Sequence, residues 1–290
     1  MAELLKGDAI ATLASLLARG TTWDYCLTSP PYYAQVDYQQ PGQYGLEDSL
    51  DAYLDIQQEV FRLVYQGLPV GGVAWIVLGD TSNNYSPIRA KGQRRKPGAW
   101  AHRRSLEQGY REKEPLLVAY RLAERLRADG WLLRKILIWD KGQGGQVSKG
   151  DAPGETHEYI LMLGKWPRPG RPYFNTTPLK GTVLNYRPSS SPDHPCPYPL
   201  GLATELLSSC STWNATVLDP FVGTGTTAQA CRTLGLNCLG IDLNPYPLLE
   251  ETTHEHSPGD PINPGRLANP WGRPAHTGRP AAATGCLGSP

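Results

Sequence analysis

The chain has 290 residues, 40% hydrophobic and 19% charged, and a formal net charge of +1. That length buries a substantial core in one large domain with an insertion, while the absence of any apolar run of about 18 residues excludes a membrane-spanning helix and the amino terminus carries no signal-peptide pattern. Cys26, Cys196, Cys210, Cys231, Cys238 and Cys286 form no C-x-x-C pair and no metal-ligand spacing with histidine, so no metal is expected and reduced, mostly buried thiols are.

Leu4-Leu5 runs into Gly7-Asp8-Ala9, where a short strand ends and a helix is expected over 9–18. A second apolar run, 23–27, reads as a strand and stops at Thr28-Ser29-Pro30-Pro31-Tyr32-Tyr33. Open α/β sheets place their chemistry at such strand ends. Two consecutive prolines fix φ twice and remove two N–H donors, so the turn is a poor donor site and a good acceptor site with its carbonyl oxygens facing outward. Together with the Ser29 hydroxyl and a flanking aromatic ring, it can hold a planar amine and accept both of its hydrogens, as on a nucleobase with an exocyclic NH₂. A proline dipeptide is also ordinary loop punctuation, and the turn by itself is compatible with either role.

Further along, a helix is expected over 49–66 and an apolar strand over 71–80, ending in Asp80. Residues 81–112 read as an irregular basic insertion, with seven Lys or Arg and no acid between 89 and 104. A helix over 115–128 and a strand over 136–141 follow. Residues 141–151, with four glycines, read as a mobile loop beside the site. After the strand at His157-Glu158-Tyr159-Ile160-Leu161, the stretch 165–193 lacks periodicity, is rich in Pro and Arg, and holds five Lys or Arg and no acid over 165–187. One basic run alone reads as a solvated loop. Two of them, interleaved with Trp100, Trp166 and Tyr173 on an otherwise acidic chain, point to a polyanion, because neutralising phosphates releases counterions.

His194-Pro195-Cys196-Pro197-Tyr198-Pro199 leads into a helix over 201–208. Then comes Val217-Leu218-Asp219-Pro220-Phe221-Val222-Gly223-Thr224-Gly225-Thr226-Thr227, a strand, an acid and a glycine turn opening a helix. The strand over 237–243 carries Asp242, 19 residues beyond Gly223. That is close to the spacing at which a dinucleotide-type fold sets glycines against a cofactor and an acid against its ribose hydroxyls. No Gly-Lys-Ser/Thr follows, which disfavours a phosphate-binding P-loop, and the missing third glycine disfavours a nicotinamide site. Asp219 would repel a pyrophosphate yet suits the ammonium group of a methionine moiety. The alternation of strands and helices implies a Rossmann-like α/β fold, a mainly parallel sheet with helices on both faces. Beyond 255, thirteen of 36 residues are Pro or Gly, and the tail 255–290 is expected to be disordered.

The Thr28–Tyr33 turn near one end and the Asp219–Thr227 turn near the other resemble the S-adenosylmethionine-dependent DNA amino-methyltransferases, specifically the circularly permuted beta group, in which the catalytic motif precedes the cofactor motif. The resemblance covers roughly residues 3–250. It implies a catalytic domain over 1–250, with 165–193 as target-recognition region and 81–112 sharing that task. It also implies Ser29, Pro30, Pro31 and Tyr32 at the catalytic site. Asp8, Asp219, Pro220, Phe221, Gly223, Gly225, Thr226, Thr227 and Asp242 would face the cofactor, Asp8 near its adenine. Asp80 would be a secondary acceptor, Tyr33 a pocket wall, and 194–199 a cover over the cofactor.

The mechanism implied is in-line methyl transfer to an amine flipped out of duplex DNA, governed by positioning more than by a strong base. Serine at the first motif position is mostly seen with cytosine N4, whereas Asp or Asn there mostly accompanies adenine N6. Transfer to cytosine C5 needs a cysteine nucleophile. Pro195-Cys196 precedes the cofactor motif rather than following it, so that chemistry is rejected. Adenine N6, an RNA or protein methyltransferase and a non-catalytic nucleic-acid-binding module stay as alternatives. Double-stranded DNA is the expected partner, in the cytoplasm of a prokaryote or phage host. A cognate restriction endonuclease, and the choice between monomer and homodimer, are left open.

Overall fold

In the computed structural model, the described residues are 1–84, the backbone of 99–100, 106–142, 151–166, 174, 177–188 and 197–244. Most of the basic insertion, much of the 165–193 stretch, the glycine loop from 143 to 150, His194 to Cys196 and the 255–290 tail therefore lie outside them. Residues 1–248 form one unit.

In chain order the elements are β1 Ala2–Lys6, α1 Ala9–Ala18, β2 Tyr25–Thr28, β3 Val36–Asp37, α2 Leu50–Gly67, β4 Val73–Leu78, β5 Ala99–Trp100, α3 Val118–Ala128, β6 Leu132–Asp140, β7 His157–Gly164, β8 Val183–Asn185, α4 Leu200–Cys210, β9 Thr216–Asp219, α5 Thr226–Leu234 and β10 Asn237–Asp242. Eight strands form one sheet in the order β1-β10-β9-β2-β4-β7-β6-β8, and β3 pairs with β5 separately. Within that sheet, strand β7 runs against its neighbours, antiparallel to both β4 and β6. The expected mainly parallel sheet is present, and this one reversal is the part that period-two patterning does not encode.

The central strand β4 is buried along all six residues, because both of its faces are covered. Ala74, Ile76 and Leu78 pack with Leu13 of α1, Leu54 and Phe61 of α2 and Leu122 of α3. Val73, Trp75 and Val77 face the other way, onto Leu202 and Leu206 of α4 and Ala230 of α5. A strand covered on both faces reads as a continuous apolar run, as this one does. Helix α1 is capped by Asp8 and α2 by Ser49, whose side chains accept from Ala11 N and Ala52 N, the usual satisfaction of orphan helix donors.

Strand and helix bounds shift by up to four residues from the sequence expectation. Residues 23 and 24 precede β2, and the indole of Trp23 instead donates to Val64 O of α2 at 3.0 Å. The 165–193 stretch is not wholly irregular, since β8 within it joins the main sheet parallel to β6. Three residues, with only Leu184 buried, are too few to show a period.

Strands β9 and β2 lie side by side, with β10 beyond the one and β4 beyond the other. Helix α5, between β9 and β10, packs on one face of the sheet. Helix α2, between β2 and β4, packs on the opposite face. That divergence is a topological switch point, which opens a crevice at the carboxyl ends of the strands.

Candidate active site

Ser29 and the glycine turn stand on the two sides of that crevice. The backbone ladder between β2 and β9 ends at Cys26 with Leu218. Just beyond it the Thr28 hydroxyl donates to Asp219 Oδ1 at 2.6 Å. Phe221 N also donates to Asp219 Oδ1, at 3.1 Å. The other oxygen accepts from Tyr198 OH at 3.3 Å and from the Thr227 hydroxyl, which itself pairs with Tyr198 OH. Because Tyr198 and Thr227 share one hydrogen between themselves, the carboxylate receives three from the protein, those of Thr28, Phe221 N and one hydroxyl of that pair. Asp219 ties together β2, β9, α5 and the segment before α4. Burial pushes its carboxyl up to about 6, against the opposing pull of those hydrogen bonds.

The turn after Asp219-Pro220-Phe221 folds back on β10. Val222 N reaches Ile241 O at 2.9 Å and Gly223 N reaches Asp242 Oδ2 at 3.1 Å. Gly223 and Gly225 adopt φ of 47° and 86°, a region that favours glycine. Thr226 starts α5 without a side-chain cap from Gly225, so the first-turn N–H groups of that helix keep the orphan character suited to a carboxylate. Asp242 accepts two backbone N–H groups, from Gly223 and from Asn244 at 2.9 Å, leaving acceptor capacity for a diol.

Asp8 sits beside Asp242, since Gly7 N donates to Asp242 O at 2.9 Å. Its two oxygens serve Ala11 N and the hydroxyl of Tyr44. The Tyr44 ring meets Phe221 edge-on at 6.1 Å. Asp8 thus caps a helix and holds Tyr44. Tyr44 escaped the sequence reading because it lies in an irregular Gln/Pro/Gly segment without period.

At the proline turn, Ser29 is half-buried and Pro30 buried. The Pro31 carbonyl does not face outward: it accepts from Tyr53 OH of α2 at 3.0 Å. Tyr33 is not a pocket wall but is buried against Tyr53, with its hydroxyl on Glu107. The Tyr32 ring lies so close to Gly79, at the end of β4, that a β-carbon there would come within 2.8 Å of it. Ser29 Oγ donates to Tyr32 OH at 3.3 Å, and Tyr32 OH donates to Glu158 Oε2 at 2.6 Å. Glu158, at the start of β7, is buried and paired through its other oxygen with Lys141. Both were read from sequence only as strand residues. Asp80 is buried and accepts from Thr81 N, Leu117 N and Val118 N. It therefore caps α3, whose own N-cap residue Leu117 has a φ of 55° and offers no side-chain bond.

Among the described residues no cluster of three His, Cys, Asp or Glu is placed to hold a metal, and no helix is long and apolar enough to cross a membrane. Cys26, Cys210, Cys231 and Cys238 are buried free thiols.

A mainly parallel sheet with its glycine turn and proline turn on the two sides of the switch point is the arrangement of the methyltransferase fold. Solved structures agree: PvuII DNA methyltransferase, described as cytosine-N4-specific, superposes with a TM-score of 0.60 over 84% of this chain and 82% of that one at 16% identity. TTHA0409 of Thermus thermophilus, a candidate DNA modification methylase solved with S-adenosyl-L-methionine, superposes with a TM-score of 0.58 over 84% and 89% at 25% identity. In sequence, the Type II methyltransferase M.SmaI of Serratia marcescens is 32% identical over 254 residues, 83% of this chain and 86% of that protein. M.Cfr9I of Citrobacter freundii is 30% identical over 84% of each. The DNA methylase family of N6 and N4 enzymes matches residues 23–249, and the chain belongs to it.

Proposed function

We propose that the protein transfers a methyl group from S-adenosylmethionine to the exocyclic N4 of a cytosine flipped out of duplex DNA. The observation that carries this is Ser29 beside the Thr28–Asp219 bridge. It sets an amine acceptor and a cofactor-type glycine turn on opposite sides of one crevice. The chain's own residues fit the cofactor: Gly223 and Gly225 admit close backbone approach, the start of α5 suits its carboxylate, and Asp242 suits its ribose hydroxyls. Phe221, held against Tyr44, offers an apolar face to its ring. When bound, it supplies the methyl group on a sulfonium, a good leaving group.

Ser29 commits its hydrogen to Tyr32, so its lone pairs remain for the amine. The Pro30 carbonyl, in a position without a competing N–H, takes the second hydrogen. Two such acceptors favour a pyramidal nitrogen whose lone pair is no longer delocalised into the ring. As the N–CH₃ bond forms, the sulfonium C–S bond breaks and one N–H proton leaves late, through Ser29 or water, while alignment supplies much of the rate. A base can reach this turn only outside the duplex. Serine rather than an acid at position 29 supports cytosine over adenine, in line with the resemblance. The basic segments 81–112 and 165–193 hold the DNA around a catalytic domain that spans 1–250. In keeping with its Type II relatives, the enzyme protects the recognition sequence of a partner endonuclease.

Expressing the chain in a host without DNA methylation and sequencing for modified positions tests this. One short sequence modified at a single cytosine is the expected result, and an unmodified genome contradicts the reading.

A further inference from the structure

Tyr32, Glu158 and Lys141 form a hydrogen-bond chain behind Ser29 whose direction is set from its far end. Glu158 is a buried carboxylate, 5% exposed. One of its oxygens is held by the Lys141 ammonium, which also lies 4.9 Å from the Trp139 ring centre. Its other oxygen faces Tyr32 OH at 2.6 Å. A carboxylate offers acceptors only, so the phenol must donate to it. The phenol oxygen is then an acceptor for Ser29, which lies 3.3 Å away and donates in turn. With its single hydrogen committed inward, Ser29 can only accept from whatever enters the crevice. A serine without such a chain can rotate its hydrogen toward a ligand and read a carbonyl as readily as an amine.

We propose that Glu158 is a positioning residue that fixes the hydrogen-bond polarity of Ser29, and thereby makes the site select an amino group over a carbonyl at the same place on a base. The reading rests on the proposed methylation of an exocyclic amine, and it explains what a buried Glu–Lys pair is for at this end of β7. Buried ion pairs are weak evidence of stability by themselves, and chains of hydrogen bonds in a low-dielectric interior polarise one another. Gly79 is part of the device, because the close approach of its backbone to the Tyr32 ring holds the phenol in line between Ser29 and Glu158.

The substitution Glu158→Gln inverts the logic, because the amide can turn its NH₂ to Tyr32 and let the phenol donate to Ser29 and Ser29 to the ligand. The test is binding, not turnover. Duplexes carrying the modified sequence are prepared with cytosine or with uracil at the target position, an amine-for-carbonyl exchange, and their dissociation constants are measured with wild type and variant. Comparing ratios cancels the different cost of flipping the two bases. The wild-type preference for the amine is expected to shrink by about tenfold or more in Glu158→Gln, with cofactor affinity close to wild type. An unchanged ratio overturns the proposal.

Should Glu158→Gln fail to fold, Tyr32→Phe keeps the ring and removes the link. The same collapse of the ratio is expected, and a wild-type ratio in that variant overturns the proposal equally. The identity of the base is read separately from the methylated nucleoside. If that is N6-methyladenine, adenine and hypoxanthine replace cytosine and uracil, and the polarity of Ser29 is still judged on its own.

Discussion

Thr28 donates its hydroxyl to Asp219 at 2.6 Å across the switch point, just where the backbone pairing of β2 with β9 has ended. One side chain therefore joins the residue before the proline turn to the residue before Pro220 and the glycine turn. The distance between the two halves of the site is set by this bond rather than by the sheet ladder. Thr28→Val keeps shape and loses the hydroxyl. It is expected to lower unfolding stability by about 1.5–3 kcal/mol, the range for a hydrogen bond to a charged group. Urea unfolding measures that loss, and calorimetry with S-adenosylmethionine should show weaker binding.

The pH dependence of stability follows from the same carboxylate. Burial lifts Asp219 from 3.8 to about 6, so the folded protein holds this proton more tightly than the unfolded chain does. The resulting stabilisation is complete below about 3.8 and is lost as pH rises through about 6, amounting to about 3 kcal/mol by linkage. Urea titrations from about pH 3 to 7 should show wild type losing that much relative to Asp219→Asn. Parallel curves would remove Asp219 from this role.

Gly79→Ala is expected to push the Tyr32 ring off the end of β4, because the new β-carbon would stand 2.8 Å from a ring carbon. Single-turnover methyl transfer should fall by about tenfold or more, the scale on which small misplacements act. Cofactor affinity should stay near wild type, since Gly79 touches the proline side of the crevice. Rapid-quench measurement of transfer beside equilibrium binding of the cofactor separates the two.

Asp242→Asn removes one of the two oxygens that accept from Gly223 and Asn244, along with the charge offered to a ribose diol. Calorimetric affinity for S-adenosylmethionine should drop by about tenfold, given the strength of charge-assisted hydrogen bonds. An affinity equal to wild type would place the ribose elsewhere.

The two turns and their order were legible in the sequence because each is a local event: prolines, glycines and an acid at short, fixed offsets. Buried β4 was legible from its unbroken apolar run. What could not be read is what the side chains do across the chain. Tyr32 and Glu158 are 126 residues apart, and Tyr198 reaches Asp219 from a segment whose own motif looked like a simple cover. Asp8, Asp80 and Asp219 all stood out as acids at strand ends. Acids there serve equally as helix caps or crossbraces, and the three-dimensional donors decide: Ala11 and Tyr44 for Asp8, the start of α3 for Asp80, Thr28, Phe221 N and the Tyr198–Thr227 pair for Asp219. The antiparallel run of β7 was hidden for a simpler reason, since alternation has no direction.

In the proposed reaction Ser29 presents an amine, cytosine N4, to the methyl donor. Incubating the protein with duplex DNA and labelled S-adenosylmethionine, then digesting to nucleosides and identifying the labelled one by mass, tests it most directly. Label in N4-methylcytosine, abolished by Ser29→Ala while cofactor binding persists, is the predicted result. Label in N6-methyladenine instead, or equal label from the Ser29→Ala protein, would contradict it.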